Sequence, residues 1–295
     1  MPQILSALAP AKVNLFLHVG PVKPNGRHDL DSLVVFAGPE AADRLTVEPS
    51  DILTLSVTGP YAADAGAGPG NLVLKAANAL RAEAGITSGA ALHLEKTLPV
   101  AAGIGGGSAD AAAALRLLTR LWDINPRHAR SVAPGLGGDV PVALLGTPAF
   151  MRGEGERVEA VTLPLALPAV LYNPGIACPT GPVFGRFDKA QGGAGFAETG
   201  PLPPLADMND LITWLAGHRN DLAAPARLLV PGLGRATHAL PPLPLPMLTR
   251  MSGSGATFLA LYPTLAAAQE SAELLSASHP DWWVRATLLG GTDLS

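Results

Sequence analysis

The stretch that most constrains this chain is PVAAGIGGGSA, residues 99–109, followed at once by the alanine-rich run DAAAALRLLTRLW. Four glycines fall within five positions. Glycine adds little to a core, but without a Cβ it lets backbone N–H groups approach a ligand and accepts unusual φ/ψ values. The alanine-rich run predicts a helix from about Ala109 to Trp122, and AALHLEKTL at 90–98 predicts a strand leading into the turn. A strand, a glycine turn and a helix N-terminus make an anion cradle, because converging N–H groups and the helix dipole both favour negative charge. Ser108 can cap the helix or offer its hydroxyl to a phosphate or its metal. A strained structural turn is the competing reading.

The phosphate carrier is narrowed by what is missing. A Walker A loop ends in Gly-Lys-Ser/Thr, whereas here Gly105-Gly106-Gly107-Ser108 contains no lysine. Gly103 and Gly105 fit the first two glycines of a dinucleotide fingerprint, and Asp123 lies at a suitable distance for a ribose carboxylate. Yet Ser108 replaces the third glycine, and Asp123 precedes Asn125-Pro126 at a helix end, not at a strand tip.

Other segments supply candidates. In AKVNLFLHVG, Val13, Leu15, Leu17 and Val19 alternate with Lys12, Asn14, Phe16 and His18, which predicts a strand with one buried face. Lys12 and Asn14 then share a face, which a solvated strand also explains. Asn25-Gly26 marks a turn ahead of Arg27 and His28, with a strand predicted from Leu33 to Ala37. LTVEPSDILTLSVTG suggests a hairpin. NLVLKAANALRAEAG predicts a helix with Asn71 as N-cap and Gly85 as stop. SVAPGLGGDVPVALLG is a second glycine turn, where Asp139 reads as an N-cap with Pro141 in the first turn. RMSGSGATFLALY places Ser252 to Gly255 in a tight turn feeding a strand. Around residue 150 the character changes toward short strands and Pro/Gly-rich loops, which predicts domains at 1–150 and 151–295.

Bulk properties exclude several classes. A formal charge of −4 and 15% charged residues argue against a nucleic-acid binder and against disorder. The single cysteine, Cys178, cannot form an internal disulfide, and no histidine pairing suggests a metal site. The first residues lack the pattern of a signal peptide, and no apolar run reaches membrane-spanning length. The expectation is a soluble, cytoplasmic protein with no membrane partner.

PVAAGIGGGSADAAAAL resembles the second motif of the GHMP kinases, which include galactokinase, homoserine kinase and mevalonate kinase. APAKVNLFLHV, NGRHDLDSLV, LGGDVPVALLG, NDL at 220–222 and RMSGSGATFLALY resemble, in order and spacing from residue 9 to about 262, the branch that acts on a cytidine-diphosphate-linked methylerythritol. The resemblance implies an α+β, two-domain fold with the active site in the cleft between domains. It implies ATP as co-substrate, Mg2+ as its companion, and phosphorylation of a free hydroxyl on a small-molecule substrate. It implies Asp139 as general base and Lys12 as its partner. It implies a nucleotide site from Pro99, Val100, Ala101, Ala102, Gly103, Ile104, Gly105, Gly106, Gly107, Ser108 and Ala109, with Lys96 and Asn71 nearby. Asn14, His28, Thr180 and Phe184 match substrate-contacting positions. Gly26-Arg27-His28 departs from the branch's Gly-Tyr-His, so the expectation is that Arg27 stacks on the base in place of the tyrosine. No dedicated metal ligands are evident. Another GHMP kinase and a silent nucleotide-binding protein on the same fold are the rival readings, and retention of both Lys12 and Asp139 argues against the second.

Overall fold

The computed structural model describes residues 4–290, apart from residue 164. The limits of the two predicted domains at residues 1 and 295 lie outside the described residues. No helix among the described residues is long and apolar enough to cross a membrane.

Two sheets organise the chain. The first has the order Leu5–Pro10, Ala42–Ser50, Gly89–Glu95, Leu53–Thr58. Ala42–Ser50 and Leu53–Thr58 are therefore not hairpin partners, as their sequence suggests. Gly89–Glu95 inserts between them, antiparallel to one and parallel to the other. Period-two alternation reports a buried face but carries no information about which strand lies alongside. The helices Leu72–Ala84, Gly106–Leu121 and Pro126–Leu136 cover this sheet, with Leu45, Val47, Leu92 and Leu94 packed against Leu80, Leu115 and Leu118.

The second sheet has nine strands centred on His28–Ala37. That strand pairs with Ala149–Gly153 on one side and with Trp283–Gly290 on the other, and also carries Lys12–Asn14 and His18–Val22. The predicted boundary at residue 150 thus cuts through Ala149–Gly153, a strand bonded to the N-terminal half. The change of composition there marks the end of the helical layer and not the end of a sheet.

The alanine helix joins the two layers. Ala111, Ala113 and Ala114 face the first sheet's core, while Ala112 packs with Val34, Phe36, Val142 and Met151 of the second. Burial on all sides demands small side chains, and alanine adds the strongest helix propensity. The N-terminal segment also departs from expectation. Lys12, Asn14, Phe16 and His18 are buried along with Val13, Leu15, Leu17 and Val19, because the segment lies between the two layers and not on a surface.

Candidate active site

The helix Gly106–Leu121 begins three residues earlier than its apolar pattern suggests, so Gly106 and Gly107 form its first turn. Gly105 sits at the N-cap position with φ +60°. A Cβ on Gly105 would lie 3.3 Å from Lys12 Cε and 3.4 Å from Asp139 Oδ2. At Gly103 (φ +74°) a Cβ would lie 2.6 Å from the Ser252 carbonyl oxygen and 2.7 Å from that of Gly255. Gly103 is required by space as well as by backbone angle, and Gly105 by its left-handed φ.

The turn opens onto a cleft of about 480 Å³. Lys12 and Asp139 face each other in it, Nζ to Oδ1 3.2 Å, with the lysine 5% exposed and the aspartate 32%. Asp139 is at the N-cap position of Val140–Leu145, but its side chain caps nothing. The capping explanation of Asp139 therefore fails, and its carboxylate is turned to Lys12. Lys12 is aimed from behind: its Nζ donates to Asn14 Oδ1 at 2.9 Å, and Asn14 Nδ2 donates to Ser32 Oγ at 2.8 Å. The Lys12 backbone N–H donates to the Ile104 carbonyl, which fixes the strand against the glycine turn.

Pro99 to Gly103 and Gly105 to Ser108 line the cleft; Ile104 and Ala109 are buried beneath it. Asn71 lines the cleft while capping its helix, accepting from Val73 N–H at 2.9 Å and donating to the Gly66 carbonyl at 2.7 Å. Capping its helix does not take Asn71 out of the cleft. Lys96 lines the cleft too, but its ammonium is committed to Asp43 and Asp110, at 2.5 and 2.6 Å.

At the other end, Thr180 and Phe184 come from the helix Thr180–Lys189. Thr180 Oγ1 lies 2.9 Å from Ser254 Oγ. His28 sits behind Phe184, ring centroids 4.9 Å apart, and its Nδ1 donates to the Gly20 carbonyl at 2.9 Å. Its Nε2 lies 3.4 Å from Asp188 Oδ1. Arg27 is elsewhere. Its guanidinium is 70% exposed and pairs with Glu154 at 3.2 Å. Lys23, Asn25 and Arg27 together hold the Glu154 carboxyl down at about 2, with the Lys23 hydrogen bond the largest cause. Stacking on a base would require Arg27 to leave this cluster.

A family model for the GHMP kinases N terminal domain matches residues 71–147. The 4-diphosphocytidyl-2-C-methyl-D-erythritol kinase of Hyphomonas neptunium is 57% identical over 97% of both chains. That of Parvibaculum lavamentivorans is 47% identical over 96% of this chain and 97% of its own. The chain belongs to the 4-diphosphocytidyl-2-C-methyl-D-erythritol kinase family. A crystal structure of a 4-(cytidine 5'-diphospho)-2C-methyl-D-erythritol kinase superposes with a TM-score of 0.77 at 35% identity, covering 98% of this chain and all of the other. A homoserine kinase from Cytophaga hutchinsonii, 16% identical, shares the fold at a TM-score of 0.65 over 99% of this chain and 95% of its own.

Within this member of the 4-diphosphocytidyl-2-C-methyl-D-erythritol kinase family, several contacts that build the cleft are not written in local sequence. Ser252 Oγ donates to the Gly103 carbonyl at 3.0 Å and accepts from Asn14 N–H at 3.1 Å, linking three distant motifs. Asp31, fully buried, binds Arg152 Nε at 3.0 Å and accepts from Thr199 N–H and Oγ1 at 2.6 and 2.7 Å. That network pins the Pro/Gly-rich loop 189–206, whose Phe196 ring packs against Gly20. The loop thereby buttresses the carbonyl that orients His28. Such partners are tens to hundreds of residues apart, and no local spacing announces them.

Proposed function

We infer that this chain catalyses ATP-dependent phosphorylation of a hydroxyl of 4-diphosphocytidyl-2-C-methyl-D-erythritol, giving the 2-phosphate in the non-mevalonate route to isoprenoid precursors. The observation that carries it is the Lys12–Asp139 pair at 3.2 Å, set beside the glycine turn in one cleft, in a chain 57% identical to that kinase from another organism.

An alcohol is a weak nucleophile at neutral pH. Asp139, the more exposed partner, accepts the hydroxyl proton as the substrate oxygen bonds to the γ-phosphorus. The bond from that phosphorus to the β–γ bridging oxygen breaks, and ADP leaves with the electron pair. Lys12, buried and positioned by Asn14, pairs with Asp139 and offsets charge gathering on the transferring group. The N–H groups of the glycine turn and the N-terminus of Gly106–Leu121 hold the phosphates, so positioning supplies much of the catalysis.

Mg2+ fits this arrangement as an ion bound chiefly by the phosphates. Among the described residues no cluster of three acidic, His or Cys side chains could hold a metal alone, while the Ser108 side chain and Asp139 are both on the cleft. When bound, the ion would neutralise phosphate charge. Phe184, backed by His28, forms the surface for the cytosine, and Asn14 and Thr180 complete the acceptor side. This chemistry belongs in the cytoplasm, where ATP is supplied.

The test is ADP release with Mg-ATP and the cytidine-diphosphate-linked methylerythritol, comparing wild type with Asp139→Ala. Turnover that collapses in the variant is the expected result. ATP binding without turnover on this acceptor would remove the substrate assignment.

A further inference from the structure

A second cavity, of about 820 Å³, is larger than the glycine-turn cleft and shares none of its lining residues. Its walls come from the helices Gly106–Leu121, Pro126–Leu136 and Val140–Leu145, with Ala7 and Val158 from two strands. Short side chains leave it unfilled: Ala7, Pro126, Ala129, Pro134 and Pro141 reach little beyond the backbone. Leu117, Leu144, Leu145 and Val158 make the rest of the wall apolar. Sites for small molecules span about 300–1,000 Å³ and are mostly apolar with a few polar groups, and this cavity has both the size and the lining.

The charge in it is one-sided. Arg116, Arg120 and Arg130 line the cavity against one carboxylate, Glu156, in a chain whose formal charge is −4. Glu156 is turned to its own loop, where Oε2 accepts from Glu154 N–H at 2.6 Å. Among the described residues the ion-paired arginines are Arg27, Arg152, Arg157 and Arg219, so the three in the cavity have no carboxylate partner. Arg116 is a fixed part of the wall: Nη1 donates to the Ala143 carbonyl at 3.0 Å and Nη2 to the Leu8 carbonyl at 3.2 Å. Burial alone pushes its pKa down to about 10, so it stays charged near neutral pH with no acid to offset it. Its Nε is buried without a partner, and what it offers a ligand is charge and not a hydrogen bond. Arg120, one turn further along the same face, and Arg130 on the next helix are exposed. Their guanidiniums can each meet a phosphate or carboxylate with two parallel hydrogen bonds. Like charges over apolar walls also concentrate anions there.

We propose that this cavity is a second ligand site, for a small amphipathic anion whose apolar body lies on Leu117, Ala129, Leu144 and Val158 and whose phosphate or carboxylate head pairs with Arg120 and Arg130. The site is separate from the glycine-turn cleft and does not rest on the kinase reading. Body and head are both needed: the walls offer an alcohol or an alkane no counter-charge, and they offer a bare anion no apolar contact.

The experiment is titration calorimetry of decyl phosphate and of decanoate, below their micelle concentrations, into the full chain. Mg2+ and a non-hydrolysable ATP analogue fill the glycine-turn cleft so that its own anion site is not scored. Saturable binding at one site is the expected result, and the tighter of the two probes gives the head group. Arg120→Gln with Arg130→Gln, both on the surface, should weaken it by about tenfold or more, as loss of charged hydrogen bonds does. Shortening the chain should cost about fourfold for each CH2 removed. Decanol and inorganic phosphate should each bind far more weakly than decyl phosphate. Absence of saturable binding, unchanged affinity in the double variant, or equal binding of decanol overturns the proposal. The double variant locates the site whether or not the ATP analogue is bound. A chain that sediments as a dimer, dispersed by Leu145→Glu, would assign the cavity to a second copy and also overturn it.

Discussion

The two ends of the cleft are built by opposite means. The end proposed for phosphate is one continuous stretch, Pro99 to Asp110, where Gly103 lies against the backbone carbonyls of Ser252 and Gly255 and Gly105 against the side chains of Lys12 and Asp139. The end proposed for the acceptor is assembled from side chains brought from afar, with Phe184 from one helix, His28 from the central strand, and a loop pinned through Asp31 and Thr199. Where backbone lies against backbone, as at Gly103, there is no room for an added atom. A side-chain-built site loses affinity contact by contact.

The predictions probe that contrast at decreasing strength. The pair between the two ends is the most sensitive: Asp139→Asn should lower kcat by about 10²–10⁴-fold, the usual contribution of a positioned base, with little change in either KM. An unaltered kcat would remove Asp139 from the mechanism. At the phosphate end, Gly103→Ala should raise the ATP KM on the order of 10- to 100-fold, because overpacking costs about 1–3 kcal/mol where backbone cannot yield. The acceptor KM should stay level, and a rise in both would blur the distinction between the ends. At the acceptor end, Phe184→Ala should raise the acceptor KM about tenfold, within the ~1–3 kcal/mol that a base–aromatic contact contributes. ATP binding, followed by calorimetry, should not change. The smallest effect belongs to Arg27→Ala. With its guanidinium on Glu154 at 3.2 Å and 70% exposed, the acceptor KM should move less than about twofold, as for surface substitutions generally. A larger rise would show that Arg27 turns onto the base when substrate binds.

The same contrast decides what could be read from sequence. The phosphate end was legible because its physics is local: a strand, closely spaced glycines and an alanine helix leave few alternatives. Asn71 and Gly85 bracket their helix as their residue types demand, the latter in the left-handed conformation with φ +65°. The meeting of Phe184 with His28 had no local signal, since the two look like an ordinary apolar residue and a loop histidine. Lys12 shows where the pattern misled. Alternation placed it on one open face, yet the segment is enclosed by two layers, and period two cannot distinguish one buried face from two. Arg27 shows a different gap: residue type carries no sign of its acidic neighbour, Glu154, which lies far along the chain. Asp43 and Asp110 were invisible because a shared lysine joins a strand, a turn and a helix.

Ser252 has a consequence for how the protein comes into being. Its hydroxyl bridges the Asn14 amide and the Gly103 carbonyl, so the floor of the phosphate loop arrives only with residue 252. During synthesis the glycine run leaves the ribosome long before this floor does. Domains generally form as units while the chain is made, but here the early half cannot complete its anion site alone. The nascent chain should therefore remain unable to hold ATP until almost its whole length has emerged.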